Sequence, residues 1–103
     1  MSDLSTPKEA YERRQDVQFL DVRGPSEWEE GRIEGAVHVP LQTLLSGGAD
    51  ELDPGRPVVA YCSHGNRSEV ARLLLKARGF EAYNLDGGLE AWEREGLPLT
   101  DRS

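Results

Sequence analysis

Short apolar segments alternate along the chain with segments that carry helix signals. The apolar segments predict buried strands over residues 17–22, 36–39, 58–61 and 82–85. The segments between them predict helices over residues 7–14, 25–30, 41–45, 68–78 and 88–95. Strands separated by helices cannot pair as tight hairpins, so the sheet is expected to be largely parallel. The chain is therefore predicted to be an α/β protein whose central, mostly parallel sheet carries helices on both faces.

The fourth predicted helix has one apolar stripe, and the fifth has a candidate cap. The stripe consists of Val70, Leu73, Leu74 and Ala77, at positions i, i+3, i+4 and i+7. This spacing predicts that the stripe faces the core and that Gly79 ends the helix. Asp86 stands before two glycines at the start of the fifth helix and is expected to be its N-cap.

Length and charge narrow the possible functions. A chain of 103 residues builds one core, so residues 1–103 are predicted to form a single domain. The net charge of -7 repels polyanions, so nucleic acid is not an expected partner. No apolar run approaches the ~18 residues of a membrane span, and the segment after Met1 lacks the features of a secretory signal. A cytoplasmic location without membrane contact is expected.

The single cysteine, Cys62, is the candidate nucleophile. One cysteine excludes an internal disulfide and a cysteine-rich zinc site. Cys62 follows the clearest predicted strand, and open parallel sheets bind ligands beyond the carboxyl ends of their strands. Gly65 permits a tight turn into the next helix, so backbone N–H groups can converge on the sulfur and favour the nucleophilic thiolate. The alternative is that Cys62 is a small buried hydrophobic residue.

The other residues of this segment each have a functional and a structural interpretation. The guanidinium of Arg67 favours binding of an oxyanion, although Arg67 could also be a solvated residue of the first helical turn. His64 is compatible with an exposed loop position or with stabilisation of the thiolate or the substrate. Ser63 and Asn66 are expected to shape the loop, and Ser68 to cap the helix or contact a ligand.

Polar residues outside the segment are expected to be structural. Asp21 and Arg23 end a predicted strand near the same edge of the sheet, and an ion pair with a neighbour such as Glu27 would explain them. His38 lies between two valines on a short strand, which favours a structural or surface role. Both tryptophans are expected to be packing residues.

Four motifs resemble the rhodanese homology family, which contains the thiosulfate sulfurtransferases. In this chain they are LDVR at 20–23, EW at 27–28 with GRIEGAVHVP at 31–40, CSHGNR at 62–67, and LDGGLEAW at 85–92. The motifs stand in the family's order and cover almost the whole chain. The family usually has Gly-His-Ile where this chain has Gly31-Arg32-Ile33, which adds a positive charge. The resemblance implies a rhodanese-like fold.

The resemblance also implies a site and a reaction. Cys62 would carry a persulfide, and the substrate-binding residues would be Ser63, His64, Gly65, Asn66, Arg67 and Ser68. In the implied reaction the Cys62 thiolate takes the outer sulfur of thiosulfate and releases sulfite. A thiophilic acceptor, cyanide or a thiol, then removes the sulfur. Neither a metal nor an organic cofactor is needed.

Two alternatives to the thiosulfate sulfurtransferase remain. One is a persulfide carrier or docking module that a protein partner charges and empties, as in a sulfur relay; the acidic composition suits a basic partner. The other is a cysteine phosphatase or arsenate reductase. Those enzymes have five residues between cysteine and arginine, whereas four separate Cys62 from Arg67. The narrower loop favours sulfane sulfur over a tetrahedral oxyanion.

Overall fold

Every predicted strand and helix is present in the computed structural model, which describes residues 3–100. The strands are β1 (Gln18–Asp21), β2 (Val37–His38), β3 (Val58–Tyr61) and β4 (Ala82–Asn84). The helices are α1 (Pro7–Glu12), α2 (Pro25–Glu30), α3 (Leu41–Leu45), α4 (Asn66–Ala77) and α5 (Gly88–Arg94). None of the helices within residues 3–100 is long and apolar enough to cross a membrane.

The four strands form one parallel sheet in the order β2-β1-β3-β4. All residues of the two central strands, β1 and β3, are buried, which explains why their apolar positions do not alternate. Asp21 pairs with Tyr61 in register, so these strands end at the same level. The segment that begins at Cys62 therefore leaves the sheet at the centre of its carboxyl edge.

Helices cover both faces of the sheet, as predicted. Alternate strand residues enter opposite apolar clusters, because successive side chains of a strand point to opposite faces. The cluster with residues of α1 and α5 includes Ala10, Phe19, Val59, Leu89 and Trp92. The cluster with residues of α3 and α4 includes Leu20, Leu44, Ala60, Ala71 and Leu75. The α/β fold class with helices on both faces is confirmed.

The predicted core-facing stripe of α4 is wrong. The buried residues of this helix are Ser68, Ala71 and Leu75, whereas Val70 is 46% and Leu73 is 54% exposed. Of the predicted stripe, Leu74 alone packs against the apolar cluster on this side of the sheet. The inward face thus carries two small residues, Ser68 and Ala71, beside the apolar Leu75. Hydrophobicity therefore indicated the wrong face of a correctly predicted helix.

The predicted cap of α5 is also wrong. The N-cap is Gly87, with φ of 74° and no side-chain cap hydrogen bond. Asp86 instead faces the amino-terminal segment: its backbone N–H donates to the Ser5 carbonyl at 2.7 Å, and its Oδ2 accepts from the Ser5 hydroxyl at 3.3 Å. Asp86 thus ties the start of the chain to the β4–α5 connection.

The segment around α2 is held by stacked rings. Trp28 stacks on His38 with ring centroids 4.5 Å apart, and Nε2 of His38 lies 2.8 Å from the carbonyl oxygen of Arg23. The guanidinium of Arg32, the departure from the family pattern, lies 4.4 Å from the centroid of the Trp28 ring and donates to the Trp28 carbonyl. The structural roles expected for His38 and Trp28 are confirmed.

Candidate active site

Cys62 is the first residue after β3 and is 2% exposed. Its Sγ accepts a hydrogen bond from the Gly65 N–H at 3.1 Å and lies 3.4 Å from the Ser68 hydroxyl. The backbone turns back at Gly65, whose φ of 105° lies in the left-handed region that favours glycine. Helix α4 begins at Asn66, so the loop is shorter than the predicted 62–67, and Arg67 lies in the first helical turn.

The hydrogen bonds around Cys62 favour its ionised form. Burial raises the pKa of the thiol, since a buried charge loses its hydration. The Ser68 hydroxyl and the backbone N–H groups of Ser68, Gly65 and His64 act in the opposite direction and together prevail, so the pKa of Cys62 lies below its ordinary value. The site therefore provides a stabilised thiolate at the carboxyl edge of the sheet.

Helix α5 orients the loop through its backbone. The N–H of Leu89 donates to the Cys62 carbonyl at 2.8 Å, and the N–H of Glu90 donates to the Ser63 carbonyl at 3.1 Å. A Cβ at Gly88 would lie 2.5 Å from the Ser63 oxygen and 2.6 Å from the Cys62 oxygen. Glycine at this position therefore lets α5 bind the loop carbonyls, a role that the sequence analysis did not assign to the 85–92 motif.

Arg67 is held by a carboxylate beside the loop. Its Nη1 and Nη2 donate to Oε1 and Oε2 of Glu27 at 2.8 and 2.9 Å, and the Ser63 hydroxyl donates to Oε2 at 2.9 Å. The Arg67 guanidinium, partly opposed by burial, lowers the pKa of Glu27 to about 2, and hydrogen bonds from Gly24 and Ser63 add to this effect. Glu27 raises the pKa of Arg67, and the Cys62 sulfur contributes in the same direction. Anion binding by Arg67 remains a prediction that requires exchange with Glu27.

The structural role expected for Asp21 and Arg23 is confirmed, but Glu27 is not their ion-pair partner. Arg23 pairs instead with Asp21, with Nη2 and Oδ2 2.7 Å apart and both side chains buried. The same Nη2 donates to the Gly31 carbonyl at 2.6 Å. Glu27 is therefore available to Arg67 from α2. The two side chains are partly exposed and form the solvent-facing entrance of the site. Glu27 is therefore a site residue that the sequence pattern alone did not indicate.

The remaining predicted residues lie at the periphery. His64 is exposed, and its Nε2 lies 2.8 Å from Oε2 of Glu90. Asn66 is exposed at the start of α4. The structure thus places Gly65 and Ser68 against the sulfur, Ser63 and Arg67 beside Glu27, and the side chains of His64 and Asn66 outside, although the backbone N–H of His64 still acts on Cys62.

Asn84 is a polar neighbour of the site that the sequence analysis did not identify. It is the last residue of β4, and its Oδ1 accepts from the Ser68 hydroxyl at 2.6 Å. Its Nδ2 donates to the Gly65 carbonyl at 3.0 Å and to Oε1 of Glu69 at 3.2 Å. The available signal was its position, because a polar residue that ends a parallel strand lies at the ligand-binding edge.

The described part of the chain offers one nucleophilic sulfur and no evident metal site. Within residues 3–100, no three His, Cys, Asp or Glu side chains are grouped so that they could hold a metal ion. The arrangement around Cys62 supports thiolate chemistry on its own grounds, since N–H and hydroxyl donors contact the sulfur and an arginine–glutamate pair lies beside the loop.

The chain matches one family model over most of its length. The model of the Rhodanese-like domain matches residues 6–95. The "Thiosulfate sulfurtransferase GlpE" of Vibrio cholerae is 31% identical over 98 residues, which cover 94% of this chain and 91% of that protein. A "tRNA uridine(34) hydroxylase" of Corynebacterium kroppenstedtii is 42% identical over 97 residues. The match covers 82% of this chain and 32% of the hydroxylase, so the chain spans about a third of that relative.

Solved structures share the fold. The crystal structure of a rhodanese-related protein from Thermoplasma volcanium superposes with a TM-score of 0.88 at 29% identity, and the match covers 94% of this chain and 96% of that one. The chain belongs to the rhodanese-like domain family.

Proposed function

We propose that this chain is a sulfurtransferase that moves sulfane sulfur from thiosulfate to a thiophilic acceptor, cyanide or a thiol, through a persulfide on Cys62. The observation that carries the proposal is the hydrogen-bonded sulfur of Cys62, whose pKa is lowered by Ser68 and by backbone N–H groups despite burial. A nucleophilic thiolate needs such donors to persist at neutral pH. The name of the Vibrio relative supports thiosulfate as the donor.

The first step charges the cysteine. The Cys62 thiolate attacks the outer sulfur of thiosulfate, and a new bond forms between Sγ and that sulfur. The sulfur–sulfur bond of thiosulfate breaks, and sulfite leaves with the bonding electron pair. The electron pair of the thiolate becomes the new bond, and the terminal sulfur of the persulfide keeps the negative charge that it carried in thiosulfate. The N–H donors of the loop and of the first turn of α4 that act on Sγ are the groups expected to stabilise that charge.

The second step removes the sulfur from the Cys62 persulfide. Cyanide or a thiolate attacks the terminal sulfur, and the electron pair of the bond to Sγ returns to Cys62 as a thiolate. The Gly65 N–H and the Ser68 hydroxyl, which lie 3.1 and 3.4 Å from Sγ, stabilise this leaving group. The chain's own residues thus hold the charge in both steps, and no external oxidant or reductant is needed.

Intact-protein mass spectrometry tests this proposal. Exposure to thiosulfate is expected to add the mass of one sulfur atom to the wild type, and cyanide is expected to remove it with formation of thiocyanate. Cys62→Ser should keep the fold and gain no sulfur. A wild-type protein that never gains sulfur from thiosulfate, or a Cys62→Ser variant that still forms thiocyanate, would refute the proposed route.

A second candidate is a persulfide carrier that a protein partner charges. The observation that favours it is the Arg67–Glu27 pair, because the cation nearest the sulfur is already neutralised by a carboxylate. A dianion such as thiosulfate gains less from a neutralised guanidinium than from a free one. If a purified cysteine desulfurase with its cysteine substrate charges Cys62 and thiosulfate does not, the carrier function replaces the proposed one.

A further inference from the structure

The Ser68 hydroxyl has two acceptors and one proton. Its Oγ lies 2.6 Å from Oδ1 of Asn84 and 3.4 Å from Sγ of Cys62, and the residue is fully buried. A hydroxyl group donates a single hydrogen bond at a time. The short distance to Asn84 favours donation of this proton to Asn84 over donation to a neutral thiol. A thiolate is a stronger acceptor than a thiol and competes for the same proton.

The orientation of the Asn84 amide is fixed by its other contacts. Nδ2 lies 3.0 Å from the Gly65 carbonyl and 3.2 Å from Oε1 of Glu69, and both groups accept hydrogen bonds. Glu69 is held in turn by Arg72, whose Nη2 and Nε lie 2.6 and 2.9 Å from its oxygens. Because the NH₂ group must face these acceptors, Oδ1 must face Ser68. Asn84 is thus a fixed acceptor for the Ser68 proton.

We propose that Asn84 is a positioning residue for the sulfur transfer. It accepts the hydrogen bond of the Ser68 hydroxyl whenever Sγ of Cys62 is uncharged, and the hydroxyl turns from Asn84 to Sγ when the sulfur becomes a thiolate. Asn84 acts through Ser68 and touches neither sulfur donor nor acceptor. This inference rests on the proposed function for its catalytic meaning. Its geometric basis is the competition between Asn84 and Cys62 for one proton.

The competition favours the persulfide over the free thiolate. In the persulfide the charge lies on the terminal sulfur, so Sγ is a weak hydrogen-bond acceptor. The Ser68 hydroxyl then donates to Oδ1 of Asn84 again. In the thiolate the proton turns to Sγ, and Oδ1 of Asn84 loses a buried hydrogen bond. Asn84 therefore lowers the free energy of the persulfide relative to the thiolate and slows loss of the bound sulfur.

The first test measures ionisation of Cys62 without any sulfur donor. The rate of alkylation by iodoacetamide, followed against pH, reports the thiolate fraction. Asn84→Leu is expected to raise this rate about three- to tenfold below neutral pH, because the Ser68 proton becomes free for the sulfur. Ser68→Ala should lower the rate, and adding Asn84→Leu to Ser68→Ala should change it no further. If Asn84 acted only on the fold, the effect of Asn84→Leu on the alkylation rate would persist without the Ser68 hydroxyl.

Matched control variants exclude general damage to the fold around Cys62. Tyr83→Phe alters the neighbouring residue of β4, whose hydroxyl contacts Glu81 rather than the site, and should leave the alkylation profile unchanged. Asn84→Asp should slow alkylation, because a carboxylate holds the Ser68 proton more strongly and repels the thiolate. The titratable and charged groups around the sulfur are Arg67 with Glu27, His64 in the loop and Glu69 behind Asn84, and they are kept in all variants, whereas Asn84→Asp alone adds a further carboxylate.

Definite outcomes overturn the proposal. One such outcome is an unchanged or slower alkylation of Asn84→Leu. The other is an effect of Asn84→Leu that is undiminished in the Ser68→Ala background. Either result would show that Asn84 does not control ionisation of Cys62 through Ser68. If Asn84→Leu does not fold, the comparison uses Asn84→Asp, and the proposal falls if Ser68→Ala leaves the effect of that substitution undiminished.

A second readout concerns the charged protein. After loading with thiosulfate, Asn84→Leu should lose its sulfur to cyanide about three- to tenfold faster than the wild type. Equal discharge rates would contradict the proposed bias toward the persulfide. If thiosulfate loads neither protein, the proposed function fails, whereas the alkylation profiles still decide whether Asn84 controls the Ser68 proton. The two failures are therefore distinguishable.

Discussion

Two arginine–carboxylate pairs near the carboxyl edge of the sheet have the same chemistry and different burial. In the pair of Arg23 and Asp21 the side chains are 5% and 0% exposed, and the closest atoms lie 2.7 Å apart. In the pair of Arg67 and Glu27 they are 41% and 34% exposed, at 2.8 Å. Water reaches only the second pair. The first pair is therefore part of the fold, whereas the second can exchange partners at low cost.

The further contacts of each pair support this difference. Arg23 also donates its backbone N–H to Oδ1 of Asp21 at 2.9 Å and its Nη2 to the Gly31 carbonyl at 2.6 Å, so the pair connects the end of β1 to the end of α2. Arg67 and Glu27 connect α4 to α2 beside the Cys62 loop. An anion that enters the site thus meets Arg67 and Glu27 and not the buried pair.

The largest expected effect is on stability. Asp21→Asn leaves the buried Arg23 charge without a counter-charge and is expected to cost about 3 to 5 kcal/mol of unfolding free energy. Glu27→Gln makes the same chemical change in the exposed pair and should cost less than about 1 kcal/mol. Urea unfolding at neutral pH, followed by tryptophan fluorescence, measures both. Similar losses in the two variants would show that burial does not separate the pairs.

The next effect is on sulfur loading. Arg67→Leu leaves Glu27 as an unpaired carboxylate at the entrance, where it repels thiosulfate. The second-order rate of persulfide formation is therefore expected to fall about 10- to 100-fold, with little change in stability. The readout is the initial rate of sulfur addition, measured by intact mass at several thiosulfate concentrations.

The matched control for Arg67→Leu removes both charges. The double variant Glu27→Gln with Arg67→Leu should recover part of the lost rate, because the repelling carboxylate is gone. A loading rate unaffected by Arg67→Leu would exclude Arg67 from donor binding and would favour charging by a protein partner.

Much of the fold could be predicted because its signals are local. The bounds of α2, α3 and β3 coincide with the predicted ranges, and proline stands at or next to the start of α2 and α3. The orientation of α4 could not be predicted from hydrophobicity, because Ser68 and Ala71 occupy its buried face. The side of α4 that meets the sheet is set by how the helix packs in the fold, which is a tertiary property that periodicity does not contain.

The candidate site could be predicted only as far as it is contiguous in sequence. The segment from Cys62 to Ser68 was identified because strand, loop and helix follow one another. Glu27, Asn84 and Gly88 come from α2, β4 and α5, and the contacts that join them to the segment span up to 40 residues. Parallel topology brings these elements to one edge, and the partner of each polar side chain depends on strand order and register rather than on spacing.

The smallest expected effect is the pH dependence of the exposed pair. The pKa of Glu27 is about 2 in the folded chain, against an ordinary value of 4.5. A depressed folded-state pKa contributes stability above the unfolded value, and this contribution is lost as the pH falls through the folded value. The stability difference between the wild type and Glu27→Gln, below about 1 kcal/mol at pH 6, should therefore shrink as the pH falls from 4.5 to 2.

Urea unfolding at low salt measures this stability difference, and added salt should reduce the difference at pH 6. A difference that stays constant down to pH 2 would mean that the carboxylate charge of Glu27 is not its source, and that the exposed pair matters to the fold through packing alone.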